Sequence, residues 1–132
     1  MEFELTWADP SLVVCRPSGV AVLEGYKEVL RALTSIPEFG PHVKVLMDLT
    51  ALDVSSLTAA DMEELASLRA RIAGESKARA AMVVGPGSSL KFGLGRMFEG
   101  YLASQVEFEV RVFEKFDDAM AWLKADDASS GK

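Results

Sequence analysis

Two patterns of apolar and polar positions run along the chain, one typical of strands and one typical of helices. Residues 2–7 alternate strictly, so that Phe3, Leu5 and Trp7 share one face of a predicted half-exposed strand. Apolar runs at 12–15 and 80–84, and a further run that begins at Val43, indicate three more strands. Between them, residues 22–35 and 58–73 repeat apolar side chains every three or four positions, which predicts two amphipathic helices.

The last third of the chain continues in the same way. A third helix is predicted after residues 85–89, and residues 106–113 alternate again as a strand at or near a sheet edge. The last helix is predicted to start at Asp117 and Asp118, whose charges suit its dipole. The predicted inward-facing side chains are Met62, Leu65, Leu68 and Ile72 in the second helix, Leu94, Met97, Phe98, Tyr101 and Leu102 in the third, and Ala119, Met120, Trp122 and Leu123 in the last.

These elements predict one α/β domain with the order β-β-α-β-α-β-α-β-α. Right-handed crossovers make the last three strands parallel, while the first two strands form an antiparallel hairpin. The predicted fold is therefore a five-stranded mixed sheet with four helices over residues 1–124. Residues 125–132 are small and polar and are predicted to form a flexible tail.

Composition narrows the function classes. A chain of 132 residues with a net charge of −6 has no basic patch, which argues against nucleic acid as a partner. No apolar run approaches the roughly 20 residues of a membrane span, and the acidic start is unlike a signal peptide. A single cysteine, Cys15, rules out an intramolecular disulfide. We expect a cytoplasmic protein with neither a metal nor a cofactor.

The stretch from Val43 to Leu57 organises the rest of the chain. Its apolar strand ends in a polar loop that carries Asp53, Ser55 and Ser56. Thr58 follows as the predicted N-cap of a helix, with Asp61 three residues later in a capping-box spacing. Loops between a strand and a helix N-terminus are where open α/β sheets present ligands and switches.

Three further segments carry a family resemblance. They are Val45–Thr50 (Val-Leu-Met-Asp-Leu-Thr), Phe92–Glu99 (Phe-Gly-Leu-Gly-Arg-Met-Phe-Glu), and Val112–Phe113 followed by residues 119–123. In their order and spacing the chain resembles the STAS domain, the fold of the SpoIIAA-like anti-sigma-factor antagonists. It is most similar to a branch of small bacterial STAS/SEC14-like proteins of poorly defined function, and the resemblance covers nearly the whole chain.

The resemblance implies a phosphorylation switch. In the antagonists, a serine in an Asp-Ser-Ser-Gly-Leu loop is phosphorylated by a partner kinase, and the added charge breaks the complex. Ser56, with Ser55 beside it, is the nearest match, although Val54 replaces the aspartate and no glycine precedes Leu57. Asp53 and Thr58 would then contact the partner. The alternative interpretation is that both serines only satisfy loop amides.

A second group of residues suggests an anion-binding loop. Glycines after a buried strand let backbone amides approach a phosphate at a helix N-terminus. The alternative is a tight turn from strand to helix, because the lysine of a Walker loop is missing. The candidate ligand-binding residues are Gly85, Gly87, Ser88, Ser89 and Arg96.

The third helix adds to this second group. Gly93, Gly95 and Gly100 each cost about 1 kcal/mol inside a helix, which predicts either close packing or mobility beside a ligand. Arg96 could bind a carboxylate or phosphate, or form an ordinary surface salt bridge.

Nothing in the sequence assembles a catalytic group. His42 lies in a predicted Pro-His turn without a second ligand nearby, and Cys15 lies in a predicted strand. Asp48 and Asp53 have no histidine or metal-ligand spacing, so Asp48 is predicted to end its strand by bonding to loop amides. An enzyme is therefore the third hypothesis.

The favoured hypothesis is a non-enzymatic, protein-binding regulatory module, whose partner would be a kinase or anti-sigma factor. The alternative is a small-molecule or lipid-binding module that uses the helix around Arg96 for a small apolar or anionic ligand. Self-association as a homodimer is a further hypothesis, because the predicted first and last strands leave exposed edges.

Overall fold

The structure, a computed structural model, describes residues 1–74 and 76–125, and it has the α/β architecture that the periodicities predict. All four predicted helices are present, and so are all five predicted strands. The predicted tail lies, apart from Ala125, outside the described residues. The elements are β1 (Glu2–Asp9), β2 (Leu12–Val20), α1 (Leu23–Thr34), β3 (Lys44–Asp48), β4 (Leu52–Asp53), α2 (Ala59–Ala73), β5 (Ala80–Val83), α3 (Ser89–Ala103), β6 (Val110–Phe113) and α4 (Phe116–Lys124).

The sheet is mixed, as expected, with the main order β1-β2-β3-β5-β6. Among the strands of the described residues, only the β1–β2 hairpin is antiparallel, and it pairs Leu5 with Cys15. The remaining pairs are parallel, with Val13 opposite Val45 and Met47 opposite Met82. The two-residue strand β4, which was not predicted, pairs with the far end of β2 and lies off the main order.

The helices lie in two unequal layers. The crossover helices α1, α2 and α3 pack on one face of the sheet, where Val13, Val45 and Met82 point into the larger core. α4 covers the other face, where Ala119 and Leu123 pack against Leu46 and Val83. No helix in the described part of the chain combines the length and apolar character needed to cross a membrane.

Two predictions about the last third of the chain are wrong in detail. The strand predicted at 106–113 begins only at Val110, and Phe108 is buried in the preceding loop. Met97 was predicted to face inward but is 44% exposed. Gly95, two residues earlier, faces the sheet instead, and a separation of two residues turns about 200° around a helix.

The second helix also differs from its predicted inner stripe. Met62 and Leu65 are buried as predicted, whereas Leu68 and Ile72 are only half-buried. The inward position between them is taken by Arg69, a charged residue that the hydrophobic pattern did not select.

Candidate functional site

The predicted switch turn, residues 54–57, lies at the edge of the sheet where the parallel strands end. β4 fixes its start, because Leu52 and Asp53 pair with the end of β2 and the Ala21 amide donates to the Asp53 carbonyl at 2.8 Å. The Leu57 amide donates to the Val54 carbonyl at 3.0 Å and closes the turn. Since Val54 and Leu57 are buried, the exposed residues at the tip are Ser55 and Ser56.

The two serines differ in their hydrogen bonds. The Ser55 hydroxyl and amide both donate to Oδ1 of Asp53, at 2.7 Å and 2.9 Å. These two bonds, the hydroxyl bond first, hold the pKa of the Asp53 carboxyl below its usual value. The Ser56 hydroxyl, in contrast, has no hydrogen-bond partner among residues 1–74 and 76–125. Ser55 therefore stabilises the turn, and Ser56 leaves its hydroxyl accessible.

The N-terminus of α2 follows the turn directly and has the predicted capping box. The Asp61 amide donates to Oγ1 of Thr58 at 3.1 Å, and the Thr58 amide donates to the Asp61 carboxylate at 2.9 Å. Within the described chain, the next two exposed amides, those of Ala59 and Ala60, have no acceptor. Free amides at a helix N-terminus, together with its dipole, favour an anion close to Ser56.

Asp48 ends β3 as predicted, by accepting from the amide and hydroxyl of Thr50 at 3.1 Å and 2.8 Å. Its other oxygen accepts from Nε of Arg16 at 3.3 Å, an ion pair that the sequence did not predict. Because Asp48 is buried on the sheet face that α4 covers in part, this pair belongs to the fold rather than to the switch turn.

The second predicted site divides into two parts. Gly85 and Gly87 have positive φ angles of 83° and 81°, which L side chains rarely adopt, so they form a turn that needs glycine. The Ser88 hydroxyl accepts from the Lys91 amide at 3.2 Å and caps α3. A shallow hollow of about 360 Å³ is lined by Gly87, Ser88, Ser89, Phe92 and Glu114.

Arg96 is not part of that hollow. Its side chain is exposed, pairs with Glu99 one turn later at 2.8 Å, and lies over the ring of Phe92 at 5.9 Å. The structure therefore does not bring Arg96 together with Gly87 to Ser89 around one cavity. The salt bridge that the sequence offered as the alternative role of Arg96 is present.

The glycines of α3 also differ from one another. Gly95 is buried, and a Cβ there would lie 3.4 Å from Val112 and 3.5 Å from Val84. A Cβ on Gly93 or Gly100 would have no neighbour within 4 Å. Of the three glycines, Gly95 therefore packs closest to its neighbours, although at distances that would also admit an alanine.

An apolar pocket lies under the switch turn. Lys91 reaches over it from α3 and donates to the carbonyls of Leu49 and Thr50, at 2.9 Å and 3.4 Å. The pocket has a volume of about 20 Å³, enough for one water molecule. Its lining is almost entirely apolar and includes Val54, Leu57, Met62, Leu94, Gly95 and Phe98.

The other candidate groups lie apart from this edge. Cys15 is buried in β2, and burial raises the pKa of its thiol to about 12. His42 is exposed in the loop before β3. Within residues 1–74 and 76–125, no three His, Cys, Asp or Glu side chains lie close enough together to bind a metal ion.

In comparisons with known proteins, no family model, no curated protein and no solved structure matches this chain. The geometry therefore carries the functional argument. It brings Asp53, Ser55, Ser56 and Thr58 together at one end of α2, in a turn that buried residues anchor on both sides.

Proposed function

We propose that this chain is a non-enzymatic, protein-binding regulatory module that presents residues 53–58 to a partner and is switched by phosphorylation of Ser56. The observation that carries the proposal is the accessible Ser56 hydroxyl in an anchored turn beside the N-terminus of α2. A modifying enzyme needs such a hydroxyl, and a partner needs a surface that is already ordered.

The charges around the turn determine the direction of the switch. Two carboxylates are already bonded to residues that flank Ser56, that of Asp53 to Ser55 and that of Asp61 to Thr58. A phosphate adds about −1.5 to −2 charges there, and inside an interface that dianion meets like charges and loses its water. The free amides of Ala59 and Ala60 offset part of this cost only in the unbound protein, where the phosphate can approach them. Phosphorylation is therefore expected to release the partner, as in the antagonists that the sequence resembles.

The test uses protein purified gently from its own cells and three variants. We expect a phosphate-sized mass increment that survives denaturation and maps to Ser56. In affinity capture, wild type and S56A should retain the same partner, whereas S56E should lose it. S35E is the matched control, because Ser35 is also exposed but caps the far end of α1. Equal capture of that partner by S56E and wild type would refute the switch.

The apolar pocket under the turn supports a second candidate, binding of a small apolar ligand beside α3. Lys91 provides one cation at its rim, and Leu94, Gly95 and Phe98 provide an apolar wall. At about 20 Å³ the pocket must open before it accepts a ligand. A mass that is lost on denaturation would favour this candidate. G95L, which fills the wall, should then abolish the bound mass while leaving capture of the protein partner unchanged.

Self-association through a sheet edge is a separate proposal about assembly. β1 and β6 are the two edges of the main sheet, and edge strands have unpaired backbone groups that can pair with a second copy. Light scattering on the purified protein measures the mass in solution, and a monomer at all concentrations would contradict the proposal.

A further inference from the structure

Arg69 is a buried guanidinium that the switch turn does not use. Only 7% of the residue is exposed, although arginine is almost never buried without a partner. In the described part of the chain it has no ion pair, and its Nη1 atom has no hydrogen-bond partner. The ring of Phe108 lies beside it, with its centroid 5.2 Å from Cζ. A ring face attracts a cation but cannot accept the hydrogen bonds of a planar fork of donors.

The charge of Arg69 persists in this position. Burial lowers the pKa of the guanidinium to about 10, which is still far above neutral pH. Tyr26, which lies close enough to influence Arg69, stays neutral, because burial raises the pKa of its hydroxyl. Among residues 1–74 and 76–125, the cluster therefore carries one positive charge and no negative charge to balance it, an arrangement that is costly in a protein interior.

Arg69 is one of the residues that line a surface pocket. The pocket has a volume of about 280 Å³, near the lower limit for sites that bind small molecules. Ser76 fixes one wall, because its hydroxyl donates to the Pro41 carbonyl at 2.8 Å and ties the loop before β3 to the segment after α2. Besides Arg69 and Ser76, the lining is Phe39, Gly40, Pro41, Ile72 and Ala73.

This pocket and the switch turn lie at opposite ends of the parallel strands. β3 and β5 are parallel, and the segments that form the pocket precede both of these strands. The switch turn instead follows β3 and β4. A ligand in the pocket would therefore not touch residues 53–58, and the site is independent of the proposed function.

We propose that this pocket binds a small organic carboxylate, with the carboxylate paired to Arg69 and an apolar body packed against Phe39 and Ile72. Arginine and carboxylate form paired, charge-assisted hydrogen bonds, which supply the acceptors that the guanidinium lacks. One guanidinium in an apolar wall balances one negative charge. A phosphate dianion would keep a second charge without a partner, so the single cation favours a carboxylate.

Thermal unfolding with added anions tests the proposal on the intact chain. Benzoate and hexanoate, the probes, should raise the Tm at millimolar concentrations, by an amount that grows with the logarithm of their concentration once the site is occupied. Benzamide, which has the shape of benzoate without its charge, and inorganic phosphate should not. R69M should fold with a Tm at or above that of wild type, because it removes an unbalanced buried charge, and should lose the benzoate shift. R71M removes an exposed arginine from the same helix and should keep it.

Amide chemical shifts of the wild-type protein give a second measurement that needs no variant. Under benzoate, shifts confined to Gly40, Ala73, Ser76 and their neighbours would support the site. The proposal is overturned if R69M shows the same Tm shift as wild type, or if benzamide or phosphate is as effective as benzoate. It is also overturned if neither carboxylate changes the Tm or those amide shifts.

Discussion

Replacing the three glycines inside α3 by alanine tests why this helix contains them. An interior helix glycine costs about 0.8–1 kcal/mol relative to alanine, mostly in backbone entropy. A methyl group on Gly93 or Gly100 would meet no atom within 4 Å, so neither substitution is opposed by a clash. We expect G93A and G100A each to raise the free energy of unfolding by about 0.5–1 kcal/mol.

At Gly95 the same reasoning holds for alanine but not for a larger side chain. A methyl group there would lie 3.4 Å and 3.5 Å from the two Cγ atoms of Val112 and 3.5 Å from Cγ1 of Val84, which are ordinary contacts. G95A should therefore gain about 1 kcal/mol from helix propensity and lose little. G95L would push a larger side chain into Val84 and Val112, and overpacking of this kind costs about 1–3 kcal/mol.

The assay is urea and thermal unfolding followed by circular dichroism. For a domain of this size, 1 kcal/mol corresponds to about 3–6 °C in Tm, and an unchanged m-value would show that the unfolded state is not altered. A121G, at an exposed position inside α4, is the reverse control and should lose about 0.5–1 kcal/mol.

The result that would refute the reasoning is a G93A or G100A variant that is no more stable than wild type. It would mean that the helix near those positions is not formed as the structure has it. If the alanine variants are more stable but bind the partner or an apolar ligand more weakly, the glycines serve mobility at the site, at a cost in stability.

Three smaller predictions concern the core and the switch turn. Because burial raises the pKa of Cys15 to about 12, its labelling by a thiol reagent at neutral pH should proceed only as fast as the protein unfolds; rapid labelling of the folded protein would contradict this. S55A should raise the pKa of Asp53 in an NMR titration, because it removes the hydroxyl bond. In wild type the lowered pKa adds a small stability at pH values above the pKa of the unfolded chain, and this stability is lost as the pH falls through the pKa of the folded protein. In S55A that pH-dependent contribution should be smaller. T58A should lower the unfolding free energy by about 1 kcal/mol in urea, and T58S should restore most of it.

The fold was predictable because its signals are local. Alternation in β1 and the apolar runs of β2, β3 and β5 identify the strands, and short connections between successive elements determine most of the sheet order. β4 escaped prediction because only its pairing with Gly19 and Val20 makes it a strand. Two residues carry no period, and their partner lies more than thirty residues away in the chain.

The candidate site, like the fold, has some features that the sequence predicts and others that it does not. The capping box of Thr58 and Asp61 depends on residues three apart, so its spacing is visible in the sequence. Lys91 was missed because its carbonyl acceptors lie 42 and 41 residues earlier, and a lysine in the first turn of a helix resembles any solvated charge.

Arg69 could have been found from spacing alone. It follows Met62 by seven residues and Leu65 by four, the positions of one helix face, and a charged residue on an apolar face is a conflict between pattern and chemistry. Natural sequences keep such conflicts where a function compensates for them. The sequence alone does not show whether Arg69 is a buried cation or whether the helix face was assigned wrongly. The packing of Phe108 and Tyr26 beside it shows that it is a buried cation.

One helix therefore carries both proposed sites, with Ser56 just before its first turn and Arg69 near its last. Coupling between them would require that α2 move as a unit, because the described residues that line the pocket are separate from those of the switch turn. Met62, Leu65 and Ala66 are buried between the two ends, and a close-packed interior resists such movement. Coupling free energies are reciprocal, so a carboxylate at Arg69 that leaves partner affinity unchanged also implies that the partner leaves carboxylate affinity unchanged. Independence of the two sites is thus the expectation, and failure of one proposal leaves the other standing.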